Sequence, residues 1–315
     1  MQIVILDGYT TNPGDLSWEP LARLGELTVY EDTPPELLVA RAKDADVLLY
    51  NRVRMTAELL EKLPRLRYLG TFSTGVNTTD LEAAARRGIP VCNIPSYCED
   101  TVAQFTFSLL LALCNHVESH HRVLMQEGWN KSVEAGIRQM PFVELAGKTL
   151  GLFGYGNIAS RVAKIGAAFG MKVLAFRRNG ETPGARRVSW EELLAESDVL
   201  SLHCPLTPET RHRINADALA HMKPGALLIN TARGGIIDDL AVAQALQSGK
   251  LGGYAADVFE TEPDITVSPL YHAPHILCTP HIARSSREAR ERLITAAADN
   301  LASWLNGTPK NQANA

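Results

Sequence analysis

Thr149-Leu150-Gly151-Leu152-Phe153-Gly154-Tyr155-Gly156-Asn157-Ile158-Ala159 is the stretch on which the fold turns. TLGLFG reads as a buried strand, the glycines as a turn, Asn157 to Phe169 as a helix and KVLAF (172–176) as the next strand. The spacing fits G-x-G-x-x-G/A: Gly154 for the tight turn, Gly156 for close approach of backbone to a pyrophosphate, Ala159 for helix–strand packing. A helix N-terminus at this place offers unpaired N–H groups to phosphates. The alternative is a glycine-rich turn that only packs closely; the strand–turn–helix–strand context favours a dinucleotide. After KVLAF an Asp or Glu usually receives the ribose 2′-hydroxyl. Here Arg177-Arg178 stand instead, and guanidinium groups match phosphate oxygens. NADP(H) is therefore favoured over NAD(H), the alternative being two solvated arginines beside NAD.

Outward from this unit the same alternation continues. DVLSLHC (198–204), ALLINTA (226–232), GYAADV (253–258) and ILCTP (276–280) read as strands, separated by helical segments at 215–222 and 238–248. Ser189-Trp190-Glu191-Glu192 forms a capping-box pattern. Upstream, IVIL (3–6), LTVY (27–30), VLLY (47–50), YLGTF (68–72) and IPVCN (89–93) alternate with LARL, PELLVARA, AELLEKL and DLEAAARRG. Thr33-Pro34-Pro35-Glu36 predicts a second capping box with Pro34 in the first helical position, and Gly88 ends a helix begun near Thr79. Asp100 to His121 predicts one long helix, apolar on most sides and so buried between layers or domains; 126–146 has no period and reads as an arm or loop. The fold class is α/β, with two Rossmann-like/flavodoxin-like doubly wound parallel-sheet domains. Residues 100–284 form a dinucleotide-binding domain; 1–99 plus 285–315 form a discontinuous substrate domain, the closing helix SSREARERLITAAADNLASWL folding back onto it.

The 315 residues suit about two domains of roughly 150 residues. Apolar residues are 45% and charged residues 21%, which excludes wholesale disorder. A net charge of -4 leaves no basic excess for nucleic acid. The longest strictly apolar run, Leu109 to Cys114, is far short of the roughly 20 residues of a membrane span. MQIVILD lacks the basic start of a signal peptide. Cys92, Cys98, Cys114, Cys204 and Cys278 are odd in number and lack CxxC spacing, which points to a reducing cytoplasm with no disulfide framework or zinc site. Cys204 and Cys278 end strands and read as packing residues. His116 and His120 are spaced for joint ligation on a helix, but no carboxylate completes a site, so no metal is expected.

Three strand-end segments gather polar residues: INTARGG (229–235), DVFETEP (257–263) and CTPHIARSS (278–286). Ligands of open parallel sheets bind outside the carboxyl ends of the strands, so an Arg, a Glu and a His meet there. Spacing alone does not separate His281 from His275, since each follows a proline. GYGNIA, LHCPLTPETRHRIN, MKPGALLINTARGGIIDDLAVAQAL, AADVFETEP and TPHIARSSREARERL follow in the order of the D-isomer-specific 2-hydroxyacid dehydrogenases, and the chain resembles that family over almost its whole length. Residues 68–113 and VELAGKTLGLFGYG are most similar to the glycerate dehydrogenase/hydroxypyruvate reductase branch.

The resemblance implies NAD(P)H-dependent reduction of a short 2-oxo acid to the D-2-hydroxy acid, and the reverse. It implies that Arg233 grips the substrate carboxylate, that His281 is the proton donor and that Glu262 holds the His281 ring. Asp257 matches a contact to the nicotinamide carboxamide. Thr74, Gly75 and Val76 match a loop whose N–H groups meet the substrate, and Arg52 joins them. Gly154, Tyr155, Gly156, Asn157, Ile158, Arg177, Arg178, Pro205, Thr231, Ala232 and Thr101 fall in the cofactor set, with His203 as a structural or cofactor-edge residue. The partner is a small molecule, and relatives imply a homodimer with the arm and the long apolar helix as interface.

Two departures concern substrate choice. Arg284 stands where the branch usually has Trp, three residues after His281, and Ala135-Gly136-Ile137-Arg138 replaces an aromatic cluster. A wider, more basic pocket for a larger or dianionic 2-oxo acid is one reading; solvated arginines with hydroxypyruvate as substrate is the other. A dinucleotide-sensing binding protein on the same fold is the alternative from another class; the intact Arg, Glu and His set argues against it.

Overall fold

The computed structural model describes residues 1–130, 133 and 142–315. It divides into two compact units, residues 1–98 with 284–315 and residues 99–283. In the first, β1 (Gln2–Ile5), β2 (Glu26–Val29), β3 (Val47–Tyr50), β4 (Tyr68–Thr71) and β5 (Val91–Cys92) form a parallel sheet in the order β2-β1-β3-β4-β5. This is the flavodoxin-like doubly wound order. β3 and β4 are buried at every position, as strands covered on both faces must be. IPVCN predicts a longer strand than the two residues that pair. The other side of Cys92 is met by Gln312 of the C-terminal tail, whose Asn314 side chain also takes the Val91 N–H.

The Arg287–Leu305 helix packs on this unit, with Trp304 5.1 Å from the ring of Tyr68. Arg290, only 9% exposed, donates to both carboxylate oxygens of Asp15 at 2.7 Å. Arg290 holds the Asp15 carboxyl below its ordinary value. A depressed folded value gives stability that is present above about pH 4, the unfolded value, and is lost as pH falls through the lower folded one. Asp15→Asn is expected to melt below the parent at neutral pH, with the gap closing as pH falls through the lowered folded value; thermal melts across pH check this.

In the second unit β6 (Thr149–Phe153), β7 (Lys172–Phe176), β8 (Arg186–Arg187), β9 (Val199–Leu202), β10 (Ala226–Asn230), β11 (Leu251–Ala256) and β12 (Ile276–Cys278) form a parallel sheet ordered β12-β11-β10-β9-β6-β7-β8. The order reverses between β6 and β9, the Rossmann switch point. Leu152, Ala159, Val162 and Ile229 pack on one face, and Trp190, Leu200, Leu228 and Tyr254 on the other. The capping box at Ser189 forms with both of its hydrogen bonds.

Three local expectations need correction. The long helix is two, Glu99–Asn115 and Val117–Glu127, broken at His116 with φ 48°. Apolar periodicity stops at Cys114, and the second helix buries none of its residues, so nothing holds it in line with the first. At Thr33 no capping box forms. Pro35 forces Pro34 out of the helical region, a 3-10 turn starts at Pro35, and the Thr33 hydroxyl donates to the Leu6 carbonyl at 2.5 Å. Cys278 is exposed, whereas Cys204 is buried. The Ala135–Arg138 departure lies outside the described residues. Among the described residues no helix is long and apolar enough to cross a membrane.

Candidate active site

Because every strand of the second sheet runs parallel, all its carboxyl ends share one edge, and the segments after β6, β7, β9, β10, β11 and β12 collect there. After β6, Gly154 has φ 92°, and a Cβ on it would fall 2.7 Å from the Cys204 nitrogen. Only glycine makes this turn without strain. Gly156 caps the 12-residue Asn157–Ala168 helix, is exposed, and has open space where a Cβ would lie. A turn without side chains at an open helix N-terminus fits a pyrophosphate. Tyr155 behaves differently: its side chain is buried and its hydroxyl donates to the Pro183 carbonyl, so only its backbone faces the turn. Ile158 is half-buried and Asn157 exposed.

Arg177 and Arg178 are exposed after β7. After β9, the His203 ring meets Ser201 Oγ at 2.9 Å, and burial pushes it down to about 4, so it is neutral near pH 7. Pro205 is exposed and its carbonyl accepts from the Thr210 hydroxyl at 2.7 Å. Thr231 pairs with Thr106 of the Glu99–Asn115 helix at 3.1 Å, and Thr101 lies in the first turn of that helix. Ala232 donates its N–H to Asn230 Oδ1 at 3.0 Å.

The segments bearing Arg233, Glu262 and His281 come together. Arg233 Nη1 donates to the Ala232 carbonyl at 2.7 Å. Gly234 lets this loop lie directly on the next one, since a Cβ there would be 2.0 Å from the Phe259 carbonyl carbon. Glu262 takes the Phe259 N–H on Oε1 and meets His281 Nδ1 with Oε2, each at 2.8 Å. The resemblance assigns Asp257 to the nicotinamide carboxamide; its buried carboxylate is engaged with the His281 loop. It accepts from the Thr279 hydroxyl at 2.6 Å, the Ile282 N–H at 2.9 Å and the Ala283 N–H at 2.7 Å. Those bonds fix a turn in which His281 has φ 56°.

A cavity of about 250 Å³ is lined by Arg233, Glu262 and His281, and also by Leu206, Arg211 and Glu260. Those last three lie inside motifs quoted above, but the sequence reading assigned them no role. Glu260 is held by Arg211 and by His212 Nε2 at 2.7 Å. The E-T-E spacing of Glu260 and Glu262 was the available signal.

In the first unit the carboxyl ends of β1, β3 and β4 likewise share an edge. Buried Asp7 accepts from the Asn51 N–H at 2.8 Å and the Arg52 N–H at 2.6 Å, leaving the Arg52 side chain exposed. Burial raises the Asp7 carboxyl, while those N–H groups oppose it. Thr74 is exposed, and its hydroxyl donates to the Ile94 carbonyl at 3.1 Å. The Gly75 N–H points to Ser73 Oγ at 3.0 Å, and Val76 is half-buried beside it. Arg284 is half-buried, and burial pushes the phenol of Tyr97 up to about 12 against the opposing charge of Arg284.

Comparison with known proteins gives the same direction. The family model described as "D-isomer specific 2-hydroxyacid dehydrogenase, NAD binding domain" matches residues 107–283. The chain is 41% identical over 321 residues to the hydroxypyruvate reductase of Blautia hydrogenotrophica, covering 100% of both chains. It is 39% identical to the glycerate dehydrogenase of Methylorubrum extorquens, covering 91% of each. The D-lactate dehydrogenase of Aquifex aeolicus, solved with NAD and lactic acid, superposes with a TM-score of 0.83 at 32% identity, over 98% of this chain and 96% of that one. With a Rossmann sheet, a glycine turn and a Glu–His pair beside an arginine, this chain belongs to the D-isomer-specific 2-hydroxyacid dehydrogenase family.

Proposed function

We propose that the protein reduces a short 2-oxo acid of the hydroxypyruvate or glyoxylate type to the D-2-hydroxy acid. The observation that carries this is that Arg233, Glu262 and His281 line the same cavity. A guanidinium there pairs with the substrate carboxylate and orients the adjacent carbonyl. Glu262 on Nδ1 holds the His281 ring and leaves Nε2 to give a proton to the carbonyl oxygen. A bound nicotinamide dinucleotide supplies the hydride to the carbonyl carbon, so hydride and proton together make the alcohol. Glycerate, the reduced form of hydroxypyruvate, is the substrate in the name of the Methylorubrum extorquens relative, which supports this substrate class.

NADPH is the preferred donor in this reading, because the strand end after β7 carries Arg177 and Arg178 and no carboxylate. Arg52 and the Thr74–Val76 loop are read as further substrate contacts. Hydroxypyruvate is preferred here over a larger or dianionic acid, which the hydroxypyruvate and glycerate in the relatives' names support. The expected result is a kcat/KM about tenfold or more higher with NADPH than with NADH, since one charge-assisted contact is worth that much. Across hydroxypyruvate, glyoxylate, 2-oxoglutarate and longer 2-oxo acids, the first two lead, and Arg284→Trp keeps that order. A preference for NADH, or for 2-oxoglutarate, would count against the corresponding part. Val117 (69%), Met125 (72%), Trp129 (73%) and Phe142 (68%) are each exposed apolar side chains, which in this reading suit a second copy of the chain. Free cysteines suit a reducing cytoplasm.

A further inference from the structure

Asn93 follows β5 and is held on three sides. Its side-chain Nδ2 donates to the Thr74 carbonyl at 2.7 Å. Its backbone N–H donates to the Asn311 carbonyl at 3.1 Å, and its carbonyl accepts from Asn300 Nδ2 at 2.9 Å. Asn300 belongs to the Arg287–Leu305 helix and is buried, and its Oδ1 accepts from Asn311 Nδ2 at 2.9 Å. Asn311 has φ 53°, a conformation that asparagine tolerates better than most residues. The tail beyond it is fastened as well. The Ala313 N–H donates to the Val91 carbonyl at 2.7 Å, and Asn314 Nδ2 to the Ile89 carbonyl at 2.9 Å. Next to Asn93, the Ile94 carbonyl takes the Thr74 hydroxyl at 3.1 Å and the Ile94 N–H donates to the Ser73 carbonyl at 2.9 Å. Three asparagines thus connect the tail to the loop after β4.

We infer that Asn93 is a positioning residue for substrate binding, held by Asn300 and Asn311 so that it aims the Gly75 N–H. The inference rests on the reading of the Thr74–Val76 loop as a substrate contact and names what sets that loop. The Thr74 carbonyl and the Gly75 N–H belong to one planar trans peptide, in which they point in opposite directions. Fixing the carbonyl on Asn93 therefore fixes the direction of the N–H. Without that anchor the peptide is free to turn and the N–H loses its aim. The same N–H meets Ser73 Oγ at 3.0 Å, so Ser73 is an internal acceptor that a substrate carboxylate has to displace. The carboxylate keeps its charge while the neighbouring carbonyl is reduced, so this contact serves ground state and transition state alike. Its loss is read in KM and not in kcat.

Two constants measured on the full chain test this: KM for hydroxypyruvate, and the calorimetric Kd of oxamate, an unreactive carboxylate, on the dinucleotide-loaded protein. Asn93→Ala is expected to raise both about tenfold, the worth of one hydrogen bond to a charged group. In that variant kcat, dinucleotide affinity and melting temperature stay close to the parent's. Asn93→Asp keeps the shape, replaces the donor by an acceptor and raises both constants at least as much. Asn311→Gly keeps the backbone conformation, deletes the link to Asn300 and raises them about threefold, the effect of a loosened rather than a deleted partner. Ser73→Ala lowers them about twofold, because the Gly75 N–H no longer has an acceptor of its own. Constants unchanged in every variant, or a parent that binds no oxamate, overturn the substrate-loop reading and this inference together. A response in Ser73→Ala with none in Asn93→Ala and Asn93→Asp overturns the role of Asn93 and leaves the loop reading standing. A lower melting temperature with kcat falling and both constants unchanged shows a structural role only, which overturns it too. Unchanged constants in Asn311→Gly alone remove the part of the tail.

Discussion

His281→Ala is expected to lower kcat for 2-oxo acid reduction by about 10²–10⁴-fold, the range typical of a positioned general acid. The ring is held from two directions. Glu262 takes Nδ1 at 2.8 Å, and Asp257 fixes the loop behind it through three bonds of 2.6–2.9 Å. Removing the imidazole takes away the proposed proton donor but leaves Asp257 and the loop, because the bonds to Asp257 come from Thr279, Ile282 and Ala283. The glycine turn follows another strand, β6, so dinucleotide binding measured by fluorescence titration is expected to stay within about threefold of the parent, as for an independent site. Turnover close to the parent's would reject the role of His281. Lost dinucleotide binding would show instead that the change acts on the fold.

Gly234→Ala is expected to be damaging without removing any functional group. The new methyl would lie 2.0 Å from the Phe259 carbonyl carbon and 2.1 Å from the Glu260 nitrogen, both backbone, so no rotamer change relieves it. The loop bearing Arg233 or the one bearing Glu262 must shift. Overpacking of this kind costs about 1–3 kcal/mol or more. A displacement near 1 Å between groups that act together costs on the order of 10² in rate. Gly235→Ala is the control. There the nearest atoms are side-chain ends, Leu206 Cδ2 at 3.3 Å and Glu260 Oε1 at 3.4 Å, which can yield. Melting temperature and kcat/KM should fall together in Gly234→Ala and change little in Gly235→Ala; equal behaviour of the two would show that the close approach does not matter.

Both sheets and the glycine turn are legible in the sequence because buried parallel strands are short continuous apolar runs, and few other residues permit the turn after TLGLFG. The Arg233, Glu262 and His281 set is legible through motif resemblance, since His275 and His281 each follow a proline and spacing favours neither. Glu260 and Arg211 escape because a charged side chain in a quoted motif looks the same whether it lines a cavity or faces solvent. Their partnership links residues 49 apart in the chain. The engagement of Asp257 with the His281 loop escapes for the same reason, since its donors arrive 22 to 26 residues later. The break at His116 escapes because helical propensity on either side gives no sign of a change in axis.

The first unit is built from the first and the last parts of the chain, and this bears on the order in which the protein can take shape during synthesis. Asp15 waits for Arg290, Tyr68 for Trp304, and the edge of β5 for the tail at Gln312. Residues 99–283 leave the ribosome in between and have their own complete sheet. At about 5–20 residues per second, roughly ten to forty seconds separate the two halves of the first unit. During that interval the nascent first sheet exposes the apolar surface that the last helix will cover, and the stretch in the middle is free to fold ahead of the segment that precedes it.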